Sequence, residues 1–254
     1  MRMGLAGWRI FLPSILQNLS YWNNEYDWRS HGEEWSAAWG SSEAQWKFTI
    51  LPRIIQYLPK DTVLEIGPGH GRWTRCLRHY AKHLLTVDIS PKCADACRQQ
   101  FRDVQSFVND GLSLNMIIED TLDFVFSFDS LVHADATVLE SYLRQLRLKM
   151  KPSAVGFIHH SNLGAYRQRL SAYPLPSLEL WRSRDVDADI FFELCVSAGL
   201  CCIKQELVNW SNVGILLDCF STIVNCSPSQ RCSRQFICNW EFMNEAILAR
   251  GLPK

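Results

Sequence analysis

Thr62-Val-Leu-Glu65-Ile-Gly67-Pro-Gly69-His-Gly71-Arg-Trp-Thr74 decides how this chain reads. Val63 to Ile66 is an apolar run broken only by Glu65, and it reads as a buried strand. A glycine-rich turn follows, then a helix from about Gly71. Glycines in such a turn let the backbone bend sharply and approach a ligand without Cβ clashes. A strand, turn and helix of this kind begins many nucleotide-binding α/β domains. Alone the pattern is weak, because glycine marks tight turns in any fold.

The next stretches strengthen it. Leu84-Leu-Thr-Val-Asp88-Ile89-Ser90 is a second apolar run ending in an acid. It lies about 20 residues after the glycines, where a βαβ unit places a ribose-binding carboxylate. An ionised Asp only accepts hydrogen bonds, which suits a pair of ribose hydroxyls. Val104-Gln-Ser-Phe-Val-Asn109-Asp110-Gly111 is a third run with a polar end. Three such ends in order would line one crevice at the carboxyl edge of a sheet, where open α/β sheets bind ligands.

Glu65-Ile-Gly67-Pro-Gly69-His-Gly71 resembles motif I of the class I S-adenosylmethionine-dependent methyltransferases. Asp88 and Asn109-Asp110-Gly111 resemble the later cofactor motifs of that family. The resemblance implies a Rossmann-like α/β fold, a mostly parallel seven-stranded sheet whose last strand is antiparallel. It implies S-adenosylmethionine as cofactor. Glu65, Gly67, Gly69, Gly71, Asp88, Ile89, Asp110 and Gly111 would form its site. Gly67, Gly69 and Gly71 would pass beside the methionine part, Asp88 would bind the ribose hydroxyls, and Asp110 would lie near the adenine amino group. A redox dinucleotide enzyme fits less well, because the third glycine comes one residue too early for Gly-x-Gly-x-x-Gly.

Composition is that of an ordinary folded chain: 254 residues, 47% hydrophobic, 20% charged, formal net charge zero. One large decorated domain is expected rather than two equal ones. The neutral balance argues against a surface that neutralises many nucleic-acid phosphates. Ten cysteines include no Cys-x-x-Cys pair, so neither a zinc ribbon nor a thioredoxin-type site is suggested. Several fall in apolar runs such as Leu200-Cys-Cys-Ile203. They read as free thiols in the core and a reducing cytoplasm, with Cys226, Cys232 and Cys238 as exposed exceptions. No apolar run reaches the length of a membrane span. Arg9 and Pro13 break any signal-peptide core, so the start reads as mature sequence.

Residues 1–58 read as a helical extension before a cofactor-binding domain at 59–254. Six of the ten tryptophans sit there: Trp8, Trp22, Trp28, Trp35, Trp39 and Trp46. They would pack over one end of the sheet, or form a lid over cofactor and acceptor. Gln45 to Ile55 reads as a helix interrupted at Pro52. Arg72 to Lys82 reads as a helix, with His79 and His83 one turn apart beside Cys76; packing explains that face better than a metal does. Ser90-Pro91 starts a helix with an N-cap and a proline at its first position. Asp135 caps another, with Leu139, Leu143, Leu146 and Met150 at helical spacing and Pro152 ending it. Residues 165–184 form an irregular insertion. Asp187–Ala198 is helical and ends at Gly199. Leu200–Trp210 and Leu217–Val224 read as an antiparallel pair, and a last helix runs from about Phe242 to Arg250.

The exits of the fourth and fifth strands carry Asp129, His133, His159 and His160. Methyl transfer to a hydroxyl needs the acceptor about 3 Å from the methyl and somewhere for its proton to go. A neutral histidine with a pKa of roughly 6.5 is a natural base. His159 and His160 face opposite ways in a strand; His160, nearer the loop, is preferred, then His133. Asp129 could orient an imidazole, hold an acceptor hydroxyl, or hold a divalent ion with histidine and water. Glu206 and Asp218 are weaker candidates.

Phe126-Ser-Phe-Asp-Ser-Leu-Val-His133 and Phe157-Ile-His-His-Ser-Asn-Leu-Gly164 further resemble bacterial methyltransferases of polysaccharide and sugar pathways. Trp35-Ser36, Pro52-Arg53-Ile54 and Phe242-Met-Asn-Glu-Ala246 share the likeness. It implies a sugar or glycan hydroxyl as acceptor. The alternatives are a nitrogen or other small-metabolite acceptor, or a non-catalytic relative that only binds cofactor.

Overall fold

A computed structural model describes residues 14–169, 181–226 and 233–251. Its centre is one sheet in the order β3-β2-β1-β4-β5-β7-β6-β8. Strands β1 (Lys60–Ile66), β2 (Ala81–Asp88), β3 (Val104–Val108), β4 (Leu122–Ser127) and β5 (Met150–Ser161) pair in parallel. Strand β7 (Asp218–Val224) runs antiparallel between β5 and β6 (Cys201–Val208). The expected seven strands are therefore present with the expected polarity. An eighth, β8 (Gln235–Asn239), adds in parallel to β6. It lies at the edge and is mostly exposed, and its apolar run, Phe236-Ile-Cys238, is only three residues long.

The helices are α1 (Ile15–Ser20), α2 (Ser42–Gln45), α3 (Leu51–Ile54), α4 (Thr74–Leu77), α5 (Pro91–Gln100), α6 (Ala136–Lys149), α7 (Ala188–Ala198) and α8 (Asn244–Gly251). Local chemistry sets their ends. Ser90 Oγ accepts from the Cys93 amide at the start of α5. Asp135 does the same for Val138, and Asp187 for Ile190. Gly199 adopts the left-handed conformation that closes α7. Between α2 and α3 the chain makes a π turn, Trp46–Ile50, and Pro52 falls in the first turn of α3, so the helical run continues through the proline instead of stopping.

Two expectations are corrected. The helix expected over 72–82 is only Thr74–Leu77. The Lys60 amide bonds the Tyr80 carbonyl, which draws the chain into β2 from Ala81. His79 thus lies in a turn and His83 in a strand, on no common helix face with Cys76. Pro152 does not end α6; the helix stops at Lys149 and Pro152 lies within β5.

One face of the sheet packs against Trp39, Trp46, Ile50, Ile54 and Phe242. The other packs against Leu139, Leu143 and Leu146 of α6 and Phe191 and Cys195 of α7. Cys93, Cys97, Cys195, Cys202 and Cys219 are buried free thiols. Cys201 and Cys226, however, are disulfide-bonded, which corrects the reading of Cys201 as a free core thiol; Cys226, expected to be exposed, is buried by the same pairing. Cys201 pairs with Val224 across the β6–β7 ladder, so Cys226 falls just beyond it. Cys238 is exposed, and Cys232 lies outside the described residues.

Arg53 ties three parts of this frame together. Its guanidinium reaches both Glu206 oxygens of β6 at 2.9 and 2.6 Å and both Glu245 oxygens of α8 at 3.1 and 2.7 Å. Arg53→Ala would strand two carboxylates, one of them buried. We expect it to cost about 3–5 kcal/mol, read from the urea unfolding midpoint. An unchanged midpoint would show that the cluster contributes no net stability.

Candidate functional site

A cavity opens at the carboxyl ends of β1, β2 and β4. Gly67, Gly69, Asp88, Ile89 and Gly111 line one half; Arg72, Asp129 and His133 line the other. The glycine turn is built for close approach. Gly67 has φ +72°, its amide bonds the Val87 carbonyl, and a Cβ there would lie 1.8 Å from Ser130 Oγ. No side chain fits. The Gly69 amide donates to Asp88 Oδ2 at 3.1 Å, and the Ser90 amide donates to Oδ1 at 2.8 Å. Asp88 is thereby held at the end of β2 with accepting capacity to spare. Burial pushes its carboxyl up to about 6, against the pull of these amides.

Not every expected cofactor residue lines the cavity. Gly71 packs behind the turn against Phe101. Glu65 is buried beneath it. One Glu65 oxygen accepts from Thr74 Oγ1 at 2.6 Å and the other has no partner. Burial, with Asp88 adding to it, pushes this carboxyl up to about 8. Asp110 is exposed and turns back on its own loop, accepting from the Leu112 and Ser113 amides. Its neighbour Asn109 instead bonds the hydroxyl of Tyr142, a cavity residue, at 2.8 Å.

The other half centres on two polar groups. His133 Nδ1 lies 2.9 Å from the Trp181 carbonyl oxygen. A carbonyl only accepts, so Nδ1 carries the proton and Nε2 keeps its lone pair. Burial pushes the ring down to about 4, so it stays neutral at cellular pH. Asp129 follows β4 with φ +59°, a left-handed conformation costing roughly 1–2 kcal/mol for an L-residue. Its Oδ2 accepts from Arg72 Nη2 at 2.5 Å, and its Oδ1 lies 3.3 Å from His159 Nδ1. Although burial opposes it, Arg72 and His159 hold the carboxyl below its usual range.

His159 and His160 diverge as strand alternation requires, and neither lines the cavity. His160, the preferred base, is fully buried against Phe191. Its Nδ1 donates to the Ser161 carbonyl and its Nε2 meets Ser221 Oγ, both at 2.8 Å. No nitrogen is left to take a proton from a molecule in the cavity. That expectation is withdrawn, because burial faces this side of β5 toward α7. Asp218 is buried, bound by Arg182 at 2.6 and 2.8 Å, with His159 Nε2 at 3.3 Å from it. Glu206 belongs to the Arg53 cluster instead. Among the described residues no three His, Cys, Asp or Glu side chains converge as a metal site.

The N-terminal segment forms the roof. Ile15, Asn18, Trp22, Trp28, His31 and Trp35 line the cavity. The Trp28 ring stacks on His70 at 4.4 Å. Trp39 and Trp46 are core residues, so the tryptophans divide between roof and packing; Trp8 lies outside the described residues.

Comparison with known proteins agrees with this geometry. Residues 63–153 match the family model described as a methyltransferase domain. The fold is the Rossmann-like methyltransferase fold. An S-adenosylmethionine-dependent methyltransferase from Clostridium acetobutylicum superposes with a TM-score of 0.61 at 14% identity, over 78% of this chain and 97% of that one. The PH0226 protein from Pyrococcus horikoshii gives 0.56 at 20% identity, over 81% and 95%. In sequence, ribosomal RNA small subunit methyltransferase A of Geobacter metallireducens is 38% identical over 50 residues, 20% of this chain. The match spans only 18% of that relative's length. Among the described residues no helix is long and apolar enough to cross a membrane.

The buried Glu65 gives a signed expectation. It ionises near 4.5 in an unfolded chain and near 8 in the fold. Between those values the unfolded state loses the proton while the folded state keeps it, so its contribution to stability falls as pH rises. Glu65→Gln should remove that component. Melting temperatures of both proteins at about pH 5 and about pH 8 test this: the variant should lose less on going to the higher pH. Equal losses would place the buried ionisation elsewhere.

Proposed function

We propose that this protein is an S-adenosylmethionine-dependent methyltransferase acting on a hydroxyl of a sugar or glycan, with His133 as general base. One observation carries the reading: a single cavity joins the Gly67–Gly69–Asp88 turn to His133 and Asp129 under an aromatic roof. The methyltransferase-domain match and the S-adenosylmethionine-dependent neighbours support the cofactor. The turn fits it, since Gly69 admits no side chain beneath Trp28 and Asp88 offers lone pairs to ribose hydroxyls. Bound there, the cofactor would supply a methyl group on a sulfonium. The chain's own residues would do the rest. Trp22, Trp28 and Trp35 would exclude water and give an apolar face for a sugar ring. Asp129, kept ionised, would accept a hydrogen bond from one acceptor hydroxyl. His133 Nε2 would take the proton of the reacting one. The likeness of Phe126–His133 and Phe157–Gly164 to sugar-pathway methyltransferases supports the acceptor class.

Calorimetry with S-adenosylhomocysteine tests the cofactor. Asp88→Ala should weaken binding by about 1–3 kcal/mol, the penalty for partners left unsatisfied. No binding to well-folded wild type would end the methyltransferase reading.

A panel of nucleotide sugars and oligosaccharides would then give a turnover assay. His133→Ala should lower kcat by roughly 10²–10⁴-fold with cofactor affinity unchanged. With the ring at about 4, the wild-type rate should already be level through neutral pH rather than rising through the ordinary histidine range. Unchanged turnover in the variant would show that His133 is not the base and leave Asp129 as the next candidate; no turnover on any member of the panel would favour a nitrogen or other small-metabolite acceptor.

A further inference from the structure

We propose that Trp181 and Arg182 are a positioning pair that sets both polar groups of the cavity's acceptor half. What those groups do rests on the functional reading above; how they are held does not. The two residues are adjacent and point their polar atoms along separate routes. The Trp181 carbonyl meets His133 Nδ1 at 2.9 Å. Its indole donates to Asn18 Oδ1 at 3.1 Å, while Asn18 Nδ2 donates to the His133 carbonyl at the same distance. His133 is thus gripped at ring and backbone by one bonded unit.

Arg182 works at longer range. It forks onto Asp218, with Nε to Oδ1 at 2.6 Å and Nη2 to Oδ2 at 2.8 Å. Asp218 Oδ2 lies 3.3 Å from His159 Nε2, a charge contact and not an aligned hydrogen bond, since that nitrogen has no hydrogen-bond partner. His159 Nδ1 lies 3.2 Å from the Asp129 amide nitrogen and 3.3 Å from Asp129 Oδ1. A neutral ring accepts from the amide; an imidazolium donates to the carboxylate. Either way Asp129 is held in its left-handed conformation, with Arg72 on its far side. Phe128, Trp210 and Phe220 pack round the His159 ring within 5.2 Å, which fixes the linkage in place. The next residue pins the segment itself: the Ser183 amide donates to the Val132 carbonyl at 2.9 Å, and Ser161 Oγ donates to the Ser183 carbonyl at 2.6 Å. The pair therefore couples the chain before α7 to the exits of β4 and β5 at once.

Histidine-selective nitrogen-15 NMR tests this without needing turnover, with His133→Gln assigning the His133 signals. Wild type should show His133 as the Nδ1–H tautomer. Arg182→Ala should shift His133 toward mixed tautomers and move the His159 signals, while S-adenosylhomocysteine affinity stays as in wild type. Arg182→Lys, which keeps the charge but not the fork, should give a smaller change and serves if the alanine variant does not fold. His159→Gln should leave the His133 tautomer intact yet lower kcat by roughly 10²-fold, the cost of a ~1 Å misplacement. A wild-type Nε2–H tautomer, or signals unmoved in the Arg182 variants, would overturn the proposal. Failure of wild type to bind S-adenosylhomocysteine would count against the methyltransferase reading and leave the tautomer result standing.

Discussion

The Gly67 backbone lies directly against the Ser130 side chain at the cavity, and the rest of the site depends on that contact. A Cβ on residue 67 would overlap the Ser130 hydroxyl. Only glycine lets the turn after β1 lie against the exit of β4. Ser127 Oγ donates to the Ile66 carbonyl at 3.0 Å, which locks the same two strand ends one step earlier. Because these ends touch, the groups after β1 and β2 share one cavity with those after β4.

The buried charges divide along the same seam. On the β1–β2 side, Glu65 and Asp88 lack a bonded cation, and burial pushes both carboxyls up. On the β4–β5 side, Asp129 and Asp218 are each bound by an arginine, and both are held down. Burial alone predicts one direction for all four. Bonded guanidinium decides the sign, and it decides which of these buried carboxylates are held ionised.

How much of this was legible in the sequence follows from the range of each signal. The glycine turn, Asp88, the caps at Ser90 and Asp135 and the stop at Gly199 are local features, and the structure has them where the sequence places them. Strand β8 was not legible, because its apolar run of Phe236, Ile237 and Cys238 is too short to mark a strand. Alternation separated His159 from His160 but could not say which side of β5 faces the cavity; in fact neither imidazole lines it. Arg72 stands beside motif I in plain view, yet its bond to Asp129 spans 57 positions. The Trp181 carbonyl leaves no trace at all, since every residue has one.

The roof shows how one composition can serve two purposes. Trp39 and Trp46 lie in the core, where area removed from water does the stabilising. Trp28 and Trp35 are held by polar edges as well as faces: Trp28 Nε1 donates to the Trp22 carbonyl, and Trp35 Nε1 to the Tyr26 hydroxyl. An indole fixed through its N–H presents a rigid face at little further entropic cost when something stacks on it. Asn23 extends that rigidity to the cavity floor, accepting from Ser90 Oγ and the Lys92 amide at the start of α5. Ser90 also donates its amide to Asp88. Through Asn23 and Ser90, the segment that carries the tryptophans and the loop that holds Asp88 therefore belong to one hydrogen-bonded structure.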